Sequence, residues 1–363
     1  MEPNPVEPPA TAQGNAGEKG CAAEASNPPV RPARTWFPPP AVGTEDLAEQ
    51  ALVLAYQRFE RYCDGLEPQL ALSMQTMASQ LSRRVPSLES LFLGSRGTPA
   101  FVMIAWIAES LLGSQPDPGL LGRVGEAMLS AYLAVRIQDD RIDGDALDPT
   151  WSYLEHALLG HSVRLQAGIS GRAVEFLVEW ERQARRFSEA ATRDARMRFD
   201  PHETWSDPAA LALQGEKFLP MAGPLSALLW HAEREHAVPA LVEVVLHLGR
   251  GLQAANDFFN AEADLQDGRG SAWLTTLGVK PSRDGVTEYH GALRRAFADR
   301  QVEQYLHRIK YHYLSATLPL RFLGSARFAH HIQDRIRALD EACLTLVGRS
   351  LGVAAAVESH RAG

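Results

Sequence analysis

Cysteine is scarce in this chain of 363 residues. Only Cys21, Cys63 and Cys343 occur, far apart and without metal-ligand spacing. Such a set excludes a disulfide framework and a cysteine-based metal site, and it suits a reducing compartment. No apolar run approaches the ~20 residues that cross a bilayer. The opening MEPNPVEPPA has neither a basic n-region nor an apolar h-region. Cations are not in excess either. The net charge of −8 argues against a broad surface for nucleic acid or for an anionic membrane. Fixed-period repeats and convincing runs of alternating strands are both missing. The expectation is a cytoplasmic protein with no nucleic-acid partner and no stable membrane insertion. Any anionic ligand must be held by local cations or by metal.

What is present is apolar helix. Hydrophobic residues make up 45% of the chain, enough for a large core. Residues 1–43 are the exception. Ten of the 23 prolines fall before residue 41, so this segment reads as disordered. Within it, WFPPP (36–40) reads as a linker, with a short docked segment as the alternative. From 44 to 355 the chain reads as one α-helical domain. Apolar residues at helical spacing predict helices over 45–63 and 98–113, the second capped by Thr98, opened by Pro99 and stopped by Gly113. The stretch 120–140 is apolar nearly all round and predicts a central buried helix. Further helices follow to the C-terminal end, broken by the polar stretches 114–119, 199–208 and 266–273. The fold class is all-α, a single large helical bundle around buried central helices.

Two acidic clusters close apolar helices. In QDDRIDGD (138–145), Asp139, Asp140 and Asp143 form DDxxD. Positions i and i+4 share a helix face, so their carboxylates converge. Convergent hard oxygens suit Mg²⁺, which binds through one or two carboxylates together with substrate phosphates. In NDFFNAEAD (256–264), Asn256, Asn260 and Asp264 stand at i, i+4 and i+8, and Asp257 flanks them. Asparagine is a poor helix former, so two on one face beside Phe258 and Phe259 suggest a specific use.

On these residues the chain resembles the isoprenoid synthase superfamily, the trans-isoprenyl diphosphate synthases and class I terpene synthases. The resemblance covers most of the chain after residue 45. QDDRID matches the first aspartate-rich motif of that family. Gln253 with Asn256-Asp257, followed by DLQDGRG (264–270), matches the region of the second. The resemblance implies an all-α bundle with a central active-site cavity, Mg²⁺ (three ions with bound diphosphate) and a prenyl diphosphate substrate. It implies metal contacts from Asp139, Asp140, Asp143, Asn256, Asn260 and Asp264. It places Asp139, Asp140, Asn256 and Asp257 in catalysis. It places Lys217, Gln253 and Arg308 against the diphosphate. The Gly-rich QDGRGSAW (266–273) reads as a lid that closes on the diphosphate, with Arg269 as its anion contact. Homodimers are common in this family.

The departures from the family pattern are informative. In GSRGTPAF (94–101), Ser95 and Thr98 replace basic residues of the prenyl synthases, and only Arg96 and Pro99 remain. The paired arginines that follow DDxxD in those enzymes are missing. NDxxN with Asp264 looks like the (N/D)Dxx(S/T)xxxE motif of terpene synthases, with a shorter final carboxylate. Their Arg-Tyr pair has weak candidates in Arg308, Lys310 and Tyr311. Phe258, Phe259, Trp230, Tyr132 and Trp106 are candidates to face a carbocation, with core packing as the alternative for each. The small Ala134 and Val135 before DDxxD favour a chain of C15 or longer. The expected reaction is ionisation of one allylic diphosphate to a terpene product. The alternatives are a prenyltransferase, elongating or head-to-head, and a non-catalytic subunit of a heteromeric synthase.

Overall fold

The computed structural model describes residues 36–41, 46–84, 87–93, 99–113, 116–142, 148–199, 208–282, 285–319 and 326–361. Every regular element among them is helical. The N-terminal layer comprises α1 (Leu47–Asp64), α2 (Pro68–Arg84), α3 (Leu88–Phe92) and α4 (Ala100–Leu112). The central and flanking helices are α5 (Pro118–Ile142), α6 (Trp151–Ser170), α7 (Ala173–Phe199), α8 (Pro208–Glu216), α9 (Leu219–His231) and α10 (Val238–Phe259). After them come α11 (Ala261–Gln266), α12 (Ala272–Thr276), α13 (Val286–Ala298), α14 (Gln301–Ala316) and α15 (Ala326–Arg361). All lie in the unit that begins at Thr35. No described helix is long and apolar enough to cross a membrane.

Three helices are lined with apolar residues and form the middle of the molecule. α5 buries Leu121, Val124, Met128, Leu133 and Ile137. α9 buries nearly its whole length, and α10 buries Leu241, Val245 and Leu248 among others. Each large side chain moved from water into such a core contributes ~1.5–3 kcal/mol. α5 packs against α1, α4, α6 and α9, and α10 packs against α8, α9 and α14. α9 therefore touches both of the helices that end in the acidic motifs.

Local sequence explains several helix limits. Asp46 caps α1 by accepting from the backbone N–H of Ala48. Gly113 ends α4 with φ 86°, a conformation that favours glycine. Thr98, the expected cap of α4, lies outside the described residues, as does the whole of 1–35. WFPPP is docked rather than a linker. Trp36 and Phe37 are buried, the Trp36 indole donates to Asp64, and Tyr56 donates to the Phe37 carbonyl at 2.6 Å. The helical pattern is broken at Lys217-Phe218, between α8 and α9, and at Asn260, between α10 and α11.

A polar clasp fixes how α5 sits. Glu126 is buried and accepts from Arg58 of α1 at 2.7 Å, and its other oxygen lies 2.9 Å from His161 Nε2 of α6. Tyr62 stacks on the His161 ring at 3.7 Å. Burial alone would raise the Glu126 carboxyl, but the hydrogen bonds from His161 and Arg58 outweigh it and hold it below its ordinary value. Removing one partner of such a buried network leaves the others unsatisfied. Glu126→Ala should therefore cost ~3 kcal/mol in urea denaturation. A loss under ~1 kcal/mol would show that the clasp does not hold the helices.

A buried histidine and a half-buried one make the fold acid-sensitive. Burial, with nearby arginines, lowers His312 and His331 from 6.5 to about 4. His331 Nε2 accepts from Arg335 Nε at 2.9 Å, an acceptor role that protonation abolishes. Below 6.5 the unfolded chain takes up protons that the folded chain refuses, so folding weakens as pH falls. Glu126 acts in the same direction. The melting temperature should hold above about pH 6.5 and fall steadily toward pH 4. An unchanged value across that window would contradict the assignment.

Candidate active site

The last turns of α5 and α10 open onto one cavity of about 610 Å³. Asp139 and Asp140 are neighbours on α5, so they point ~100° apart. Asp139 lines the cavity and its side chain is 36% exposed. Asp140 is buried and bonded to Arg136, one turn back, at 2.6 Å. Arg136 lines the cavity as well. Asp143 lies outside the described residues. Burial pushes the hydroxyl of Tyr132, another wall residue, up to about 12, so it stays a neutral phenol at working pH.

Lys217 reaches the same cavity from the break between α8 and α9. That break presses against α10. A Cβ on Gly249 would lie 2.5 Å from the Phe218 ring and 2.9 Å from the Gly215 carbonyl, so only glycine allows the approach. The Lys217 ammonium is 8% exposed as a residue. It donates to Asp194 of α7 at 2.6 Å and lies 3.8 Å from Asp139 Oδ1. It thus ties α7 to the first acidic motif.

The second motif divides between two jobs. Gln253, Asn256 and Asn260 line the cavity. Asp257 is buried and accepts from Gln253 Nε2 at 2.8 Å, Gln214 Nε2 at 3.2 Å and the Ala272 backbone at 3.1 Å. It braces α10 against α8 and the start of α12. The helix stops at Phe259, and Asn260 has φ −101° and ψ 4°. The i, i+4, i+8 alignment is therefore not kept. Asp264 falls in the first turn of α11, away from the cavity lining. Asn260 donates to Asn256 Oδ1 at 2.7 Å, which leaves the Asn260 carbonyl oxygen as an acceptor.

Other expected contacts are elsewhere. Arg269 pairs with Asp267, and Arg308 lies over the Tyr305 ring at 5.4 Å. Lys310 pairs with Asp340, and Tyr311 is exposed. None of these four lines the cavity. Its wall instead carries Tyr313 of α14 and Arg335 of α15. Arg335 is 3% exposed and sits 5.9 Å from the Tyr313 ring. Sequence reading missed this arginine, although a signal was present. It stands in the stripe Phe328, Ile332, Arg335, Leu339, whose members are all buried. A charge at an apolar position of a helix demands a partner or a use. Of the five aromatic candidates, Tyr132 and Phe259 line the cavity. Phe258 packs on Trp273 and Trp106 stacks on Phe328, both in the core. Trp230 packs edge-on to Phe176 under Arg172.

The cavity's oxygen donors can be tested against Mg²⁺. Among the described residues, no three His, Cys, Asp or Glu side chains form a metal-binding group. Asp140 and Asp257 are buried and do not line the cavity. The Asp139 carboxylate and the Asn256 and Asn260 carbonyls remain, all hard oxygens in one cavity. One carboxylate with substrate phosphates suffices for Mg²⁺, so the residues fit.

No protein-family model matches the chain, and no curated protein matches it. A solved structure does. A geranylgeranyl pyrophosphate synthetase from the archaeon Geoglobus acetivorans superposes with a TM-score of 0.60. The match covers 82% of this chain and 97% of that one, at 13% identity. The chain has the isoprenoid synthase fold. This all-α architecture is the one expected from the sequence.

Asp257, turned away from the cavity, should behave as a structural group, and Asp139 as a cavity group. Asp257→Ala strands two buried donors and one half-buried donor and should cost ~3 kcal/mol. Asp139→Asn removes a part-exposed carboxylate and should change stability by less than ~1 kcal/mol. Urea denaturation of both variants decides this. Equal losses would contradict the division between brace and cavity group.

Proposed function

We propose that this cavity binds one allylic prenyl diphosphate and ionises it, expelling pyrophosphate and leading to a terpene product. One observation carries the reading. A single cavity gathers Asp139, Lys217, Asn256 and Asn260 together with Tyr132, Val135, Met221, Leu252 and Phe259. Cation and oxygen ligands thus share a space with an apolar wall, as an amphiphilic diphosphate requires. Its volume is in the range of small-molecule sites.

Lys217 and Arg335 are the donors this reading assigns to the diphosphate oxygens, as charge-assisted hydrogen bonds. Mg²⁺ held by Asp139, Asn256 and Asn260 with the substrate's own oxygens would neutralise charge on the leaving group. Shielding of the cation from water falls to the apolar wall of Val135, Met221 and Leu252. The faces of Tyr132 and Phe259 stabilise it by ~0.5–2 kcal/mol each. Tyr132 cannot act as a base, because its phenol is neutral. A substrate of C15 or longer fits this reading, because Ala134 and Val135 leave little bulk one turn before Asp139. Joining to isopentenyl diphosphate would need a second cation set. Ser95, Arg96 and Thr98, which bear on it, lie outside the described residues.

The test is pyrophosphate release by the purified protein with Mg²⁺. Geranyl, farnesyl and geranylgeranyl diphosphates are offered with and without isopentenyl diphosphate. Release from a single allylic substrate is expected, and Asp139→Ala should reduce it by ~10²–10³-fold. Release only with isopentenyl diphosphate would make the protein a prenyltransferase. No release from any mixture would favour a non-catalytic subunit.

A further inference from the structure

A second cavity, of about 190 Å³, lies among α5, α6, α7 and α9. Val135 and Pro220 line both cavities, so the two are neighbours across a thin wall. Its lining is largely apolar, with Leu159, Trp180, Phe187 and Leu219. Two buried carboxamides interrupt it, Gln166 of α6 (1% exposed) and Gln183 of α7 (5% exposed). Gln138 and Glu155 also line it, Glu155 being held by Arg141 at 2.7 Å.

The orientation of both amides is fixed by their neighbours. Ser162 spends its proton on the Ala127 carbonyl at 2.7 Å, so it can only accept from Gln166 Nε2, at 2.8 Å. Gln183 Nε2 donates to the Glu179 carboxylate at 2.9 Å, and a carboxylate can only accept. Each amide therefore presents its carbonyl oxygen on the other side. Neither Gln166 Oε1 nor Gln183 Oε1 has a hydrogen-bond partner among the described residues. Buried acceptors without donors are costly and uncommon. Room has also been kept for one of them. A Cβ on Gly223 would stand 2.5 Å from Gln166 Oε1.

We propose that this cavity is a subsite for a neutral hydroxyl group on an apolar, isoprenoid-like chain, with Gln166 Oε1 and Gln183 Oε1 as its acceptors. No cation lines it, so it suits an alcohol and not a second diphosphate. The inference deepens the proposed function, because it gives the substrate or product an alcohol. That hydroxyl has two possible sources. The substrate brings it, or water adds to the carbocation. In the second case a lone pair on the water oxygen forms the C–O bond, and the surplus proton passes to the released pyrophosphate.

The test needs no turnover, so it fails or succeeds separately from the proposed reaction. Calorimetric titration compares geraniol with its methyl ether, which keeps the oxygen acceptor but has no donor. The protein should bind geraniol about tenfold more tightly than the ether. Gln166→Leu/Gln183→Leu, with its fold checked by circular dichroism, should abolish the difference. Gly223→Ala, which displaces the Gln166 amide, should reduce it. Equal affinity for alcohol and ether in the unmodified protein, or no binding of either, would overturn the proposal. So would an unchanged preference in the folded double variant. Where pyrophosphate release yields an alcohol, reaction in ¹⁸O-water separates the sources. A labelled hydroxyl comes from water and an unlabelled one from the substrate.

Discussion

The buried carboxylates of Asp140 and Asp257 each need hydrogen-bond donors, and meeting that need aims the rest of the site. A charge taken from water is costly unless it is paired. Asp140 has Arg136, and Asp257 has two glutamine amides and a backbone N–H. On a helix, adjacent side chains point ~100° apart. Pinning Asp140 into the bundle turns Asp139 to the cavity, and pinning Asp257 turns Asn256 there. Each adjacent pair, Asp139-Asp140 and Asn256-Asp257, is thus one anchor and one working group. α9, packed against both helices, keeps the two working faces opposed.

Lys217 obeys the same constraint. It stands at a break in what the sequence presents as one apolar helix, and it is buried between Asp194 and Asp139. Two carboxylates from different helices thereby share a cation at the cavity wall. Arg335 is buried against Tyr313 and bonded to His331. The cavity therefore has cations and carboxylates in register before any ligand enters.

Much of this can be read from the residues alone. The near-continuous apolar character of 120–140 marks α5 as central. The DDxxD and NDxxN patterns mark the ends of α5 and α10, where Asp139, Asn256 and Asn260 line one cavity. What sequence periodicity does not carry is where a helix yields to its neighbours. The Gly215–Gly249 contact breaks α8 from α9, and the turn at Asn260 takes Asp264 off the shared face. The docked Trp36 and Phe37 lie in a proline-rich segment whose composition signals disorder, because their burial depends on partners in α1. Arg335 is similar. Its role emerges only once α15 is seen against α14 and the cavity.

The measurement that tests the account most directly is calorimetric binding of pyrophosphate in the presence of Mg²⁺. Native protein, Asp139→Asn and Asp140→Asn are compared. The account predicts binding that needs both Mg²⁺ and Asp139. Asp140→Asn keeps a hydrogen-bond acceptor for Arg136 and should bind nearly as well as the native protein. Binding that survives Asp139→Asn, or that needs Asp140 instead, would contradict the assignment of Asp139 as the cavity-facing carboxylate.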